Sequence, residues 1–100
     1  MQPIDIKVTI DRPVPDARVQ ILDNVQPRMR SVHFSERAQG DAVTFRPKFM
    51  GLPAVWLMRR LSNEHLKLAF EQEGSVTQVQ VTGKLSSRAH AEVIEALGGH

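Results

Sequence analysis

The chain has 100 residues, 41% hydrophobic and 24% charged, the profile of one globular domain, residues 1–100, with a single core and no room for a second. It has no cysteine, which excludes a disulfide framework, a thiolate zinc site, an iron–sulfur cluster and a cysteine nucleophile. The net charge of +2 is unevenly spread, with −1 over residues 1–27, +5 over 28–60 and −2 over 61–100.

The start, MQPIDIKVTIDRP, lacks a basic segment followed by an apolar one, and no run approaches the ~20 apolar residues of a spanning helix. A cytoplasmic protein, complete from Met1, is the expectation. Ile4, Ile6, Val8 and Ile10 alternate with Asp5, Lys7 and Thr9, the period of a strand with one buried and one solvated face. Pro13 and Pro15 then stop that strand. From Pro15 to Val25, the residues Ala17, Ile21, Leu22 and Val25 stand near helical spacing, with Asp16 suited to a first turn. A strand through Ala17, Val19 and Ile21 is the alternative, and Pro27 is expected to close the element.

Val32 and Phe34, then Val43, Phe45 and Phe49, alternate with polar residues around Ala38-Gln39-Gly40-Asp41, the pattern of a β-hairpin. Pro47 donates no ladder hydrogen bond, so its strand should lie at an edge, bulge or end there. Residues 50–58, MGLPAVWLM, are the most apolar run, and Ala54, Val55, Leu57, Met58 and Leu61 have helical spacing. Leu66, Leu68 and Phe70, then Thr77, Val79 and Val81, form a second hairpin about Glu73-Gly74, with Gly83 as its expected end. Ser86 or Ser87 caps a last helix carrying Ala89, Val93, Ile94, Ala96 and Leu97, which Gly98-Gly99 stops.

The order is therefore β-α-β-β-(α)-β-β-α. Two hairpins cannot join a parallel crossover sheet, so the fold class is α+β. It is a two-layer sandwich in which a curved, mostly antiparallel sheet of about five strands carries helices on one face and grips the C-terminal one.

IDIKVTIDRPVPDARVQILDNV resembles the opening strand, proline-containing turn and first helix of the START/polyketide-cyclase-like (SRPBCC, helix-grip) superfamily. GSVTQVQVTGKL followed by SSRAHAEVIEALGG is similar to its last strand and long C-terminal helix. The resemblance covers about half the chain and rests on hydrophobic spacing. Usual members are longer, with seven strands. It implies a cavity between sheet and C-terminal helix that takes a hydrophobic ligand.

Chemistry-bearing patterns are sparse. His33, His65, His90 and His100 lie 32, 25 and 10 residues apart, so no HxxxH or HExxH pair puts two imidazoles on one helical face, and no metal site is expected. There is no GxSxG elbow and no glycine-rich phosphate loop. Glu71 and Glu73 are read as one solvated strand face beside a turn. No catalytic residue and no cofactor is assigned, and a non-enzymatic binding or interaction module is the leading expectation.

Two candidate sites follow. Phe45, Phe49, Trp56, Met58, Leu68 and Phe70 would line a hydrophobic site, with core packing the ordinary alternative for the phenylalanines. The greasy 50–61 segment would be a lid, a homodimer or protein interface, a membrane-surface contact, or a plug for the mouth of the sheet. Arg28, Arg30, Arg46, Lys48, Arg59 and Arg60, from the basic middle block that also holds Arg37, would instead bind nucleic acid or another anionic partner. A solvated face is the ordinary alternative there. With one tryptophan and no tyrosine, nucleic acid is the weaker partner, since stacking platforms need exposed aromatics.

Overall fold

The computed structural model describes residues 2–48, 54, 57–58 and 63–98. Strand β1 (Gln2–Ile10) follows the alternation exposed at Asp5 and Lys7 and buried at Ile4 and Ile10. Helix α1 (Val14–Ser31) then runs far beyond the expected stop, straight through Pro27. Proline tolerates the first turn, where Pro15 sits, but inside a helix it removes a hydrogen bond and crowds the preceding turn. Pro27 lies on the solvent side, where the freed carbonyl can turn to water, while Ala17, Ile21, Leu22, Val25 and Met29 hold the other side in the core. Val32, expected on a strand, is the C-cap residue, and His33 in the left-handed conformation (φ 63°) ends the helix.

The first hairpin pairs β2 (Phe34–Gln39) with β3 (Ala42–Pro47), so its turn is the two residues Gly40-Asp41 rather than four. Pro47 ends β3 beyond the stretch that pairs with β4, where no ladder bond is asked of it. The second hairpin joins β4 (His65–Glu73) to β5 (Val76–Leu85) through Gly74 (φ 62°). Strand β5 does not end at Gly83 but continues two residues past it. Helix α2 (Ser87–Ala96) is capped by Ser86, whose Oγ accepts from the Ala89 N–H at 3.5 Å. The apolar 50–61 helix lies outside the described residues except for Ala54, Leu57 and Met58, which are helical and exposed.

The architecture is α+β, a five-stranded antiparallel sheet in the order β1-β5-β4-β3-β2 with two helices packed on one face. Among the described residues, β1 and β2 are its edges. Helix α1 touches β2, β4, β5 and α2, while α2 touches β1, β5 and α1. The longer first helix therefore supplies more of the cover than the C-terminal one. Between the layers lie Val43, Phe45, Leu66, Leu68, Val79 and Val81 from the sheet, with Ala17, Val25, Met29, Ala89 and Val93 from the helices. Buried Thr77 donates its hydroxyl to the Arg12 carbonyl at 2.8 Å. Among the described residues no buried side-chain polar atom lacks a partner, as a tightly packed interior demands. No helix among them is long and apolar enough to cross a membrane.

Candidate functional site: the open face of the sheet

Because strand residues alternate between faces, the register assigns each side chain to the helix side or the open side. Asp5, Thr82, Lys67, Thr44 and Arg37 fall in one row across all five strands of the open side. The next row toward the start of β4 carries Lys84 opposite His65, and Arg46 opposite Ser35. Toward the far end of the same face stand Glu71 and Glu73. The open face is thus polarised, with Arg37, Arg46, Lys67 and Lys84 at one end, where Asp5 stands on the β1 edge, and Glu71 and Glu73 at the other. With adjacent strands roughly 4.8 Å apart, Arg37 and Lys67 are separated by roughly 10 Å at the backbone, within reach of one extended ligand.

A cleft of about 400 Å³ opens at the basic end, lined by Arg37, Thr44, Arg46, Asn63 and Glu64 among others. Asn63 takes the left-handed conformation (φ 55°), and its carbonyl lies 2.7 Å from Nδ1 of His65. Asparagine tolerates that conformation better than most residues. Glu64 is buried beside it. Among the described residues the ion pairs are those of Arg28 with Glu92 (3.1 Å) and Glu95 (3.3 Å); Arg37, Arg46, Lys67 and Lys84 enter none.

The residues expected to bind an anion are therefore divided. Arg46 stands on the open face beside Arg37. Arg28 is engaged between α1 and α2, Arg30 is exposed on the last turn of α1, and Lys48 follows β3, its N–H donating to the His33 carbonyl at 2.8 Å. Arg59 and Arg60 lie outside the described residues. Lys67 and Lys84 escaped the linear reading because they are distant in sequence from the basic block. The signal for Lys67 was present, as the outward residue between Leu66 and Leu68.

The residues expected to line a hydrophobic site are divided as well. Phe45, Leu68 and Phe70 point to the helix side and are buried in the core. The guanidinium of Arg18 lies 5.9 Å from the ring centre of Phe70, a cation–π contact at the margin of the core. Met58 is 71% exposed, and Phe49 and Trp56 lie outside the described residues. A second cleft, of about 470 Å³, opens where the end of β1 meets α1 and the end of α2, among Ile10, Arg12, Ile21, Asn24 and Leu97. Among the described residues no group of three His, Asp or Glu is placed to hold a metal ion. No protein-family model and no curated protein matches this chain.

Proposed function

We propose that the protein is a binding module rather than an enzyme, and that the basic end of its open sheet face receives a polyanion, a nucleic acid backbone above all. The observation that carries this reading is the gathering of Arg37, Arg46, Lys67 and Lys84 on one sheet face, opposite the face on which the two helices pack. Phe34, Phe45 and Phe70 are all buried in the core. Recognition by the basic residues would then proceed through phosphates, which gives affinity and positioning with little sequence preference. A cytoplasmic setting fits such a partner and a chain free of cysteine.

Counterion release makes the reading quantitative. Four phosphate contacts to duplex DNA weaken binding roughly a hundredfold between 50 and 200 mM salt. Fluorescence anisotropy of a labelled 20-base-pair duplex is expected to show that slope with the wild-type protein and to lose binding with R37E/R46E. Binding indifferent to salt, or unchanged in that variant, would overturn it.

A second reading rests on the cleft of about 470 Å³, which falls in the usual size range of small-molecule sites. It sits where the sheet meets the end of the C-terminal helix, the place the helix-grip resemblance implies for an apolar ligand, although Ile10, Ile21 and Leu97 line it instead of the expected aromatics. Amide NMR shifts at these three residues on adding a fatty acid, insensitive to salt, would support it. Their absence would remove it.

A further inference from the structure

We propose that β1 is the contact through which two copies of this chain pair, edge to edge and antiparallel about a twofold axis at Ile6, making one continuous ten-stranded sheet. An edge strand presents unpaired backbone donors and acceptors, and proteins usually guard it with inward-pointing charges, bulges or cover. The two edges differ in this respect. On β2 the helix-side position next to Phe34 is a carboxylate, Glu36, bonded to Gln26 of α1. On β1 every helix-side position from Ile4 to Ile10 is aliphatic, and Pro3, near its start, is the one residue of the nine without an N–H.

Charge and alternation together select the partner and the register. Residues directly opposite in an antiparallel pair share a face, so a slip by one residue would set Ile6 against Asp5 and turn the two apolar faces to opposite sides. Among in-phase registers, a centre at Asp5 or at Lys7 sets like charges against each other. A centre at Ile6 overlaps the whole strand from Gln2 to Ile10. It sets Asp5 against Lys7 twice, Ile4 against Val8 twice, and Ile6 against itself. Gln80 donates to the Asp5 carboxylate, which holds it on the open face where this pairing needs it. The half-buried Ile6 and Val8 would gain cover on the helix side. A self-complementary strand fits an isologous dimer, in which one patch meets its own copy.

The test is analytical ultracentrifugation of the full chain over a wide concentration range. The wild type is expected to show a monomer–dimer equilibrium. D5K and K7D each replace two attractions by two repulsions and are expected to weaken it by roughly tenfold or more. The exchanged variant D5K/K7D restores opposite charges at every contact and is expected to dimerise again. Circular dichroism of each variant separates lost pairing from lost folding. A monomer at every concentration, no rescue in D5K/K7D with the fold intact, or a dimer sensitive only to M58E in the 50–61 segment would each overturn the proposal.

Discussion

A single hydrogen atom decides position 83. Gly83 sits on the helix side of β5, paired with Leu66 on β4 and Ile4 on β1. Its φ is 154°, and a Cβ there would lie 2.2 Å from the carbonyl oxygen of His65. That neighbour is backbone inside a paired strand and cannot move aside alone. G83A is therefore expected to lower stability by about 2 kcal/mol or more, on the scale of overpacked and strained sites, read as a fall in the urea midpoint with unchanged m-value. In sequence this glycine resembles a strand terminator, because a turn and a close approach of two backbones call for the same residue. The reverse ambiguity hid the end of α1. The left-handed position that stops a helix is usually glycine, and here His33 occupies it.

At the scale of elements, α1 shows packing overriding a local signal. Five buried side chains on one face outweigh an interior proline that costs an isolated helix about 3 kcal/mol. Pro27 is exposed, so replacing it leaves the core untouched and returns an N–H to the ladder. P27A is expected to raise stability by about 1–3 kcal/mol, measurable as a higher urea midpoint. A strand boundary or turn at Pro27 would give the opposite sign. The hairpins were easier to read, because strict alternation in Leu66–Phe70 and Thr77–Val81 reports a sheet with one covered face whatever lies on it. The same alternation named Phe45, Leu68 and Phe70 as inward, but inward to a filled core and inward to a ligand cavity look identical along the chain.

At the scale of the molecule, the sheet separates two surfaces. Strand β1 forms one edge, while Arg37 and Arg46 stand on β2 and β3 at the other. With three residues of different strands between Arg37 and Asp5 in the same row, each surface should fail separately. R37E/R46E is expected to abolish polyanion binding and to leave the sedimentation behaviour of the free protein within about twofold of the wild type, since mutations without shared partners act additively. A joint loss would mean that the two surfaces are one.

Local patterning was sufficient for most of the elements and for the fold class, because a strand or helix with one buried face must repeat its apolar residues at the period of its own backbone. Strands β1, β3, β4 and β5 and the last helix follow from that repeat, whereas β2 buries Phe34 alone and the spacing over 15–25 also fits a strand. The short connections fix the antiparallel pairs β2·β3 and β4·β5, while β1·β5 and β3·β4 join distant segments. Register and helix length belong to the assembled molecule. Strand pairing brings Lys67 and Lys84 beside Arg37 and Arg46 and makes β1 an edge among the described residues, and packing of α1 on α2 engages Arg28 with Glu92 and Glu95, because each of these relations joins residues distant along the chain through contacts that have no period in it.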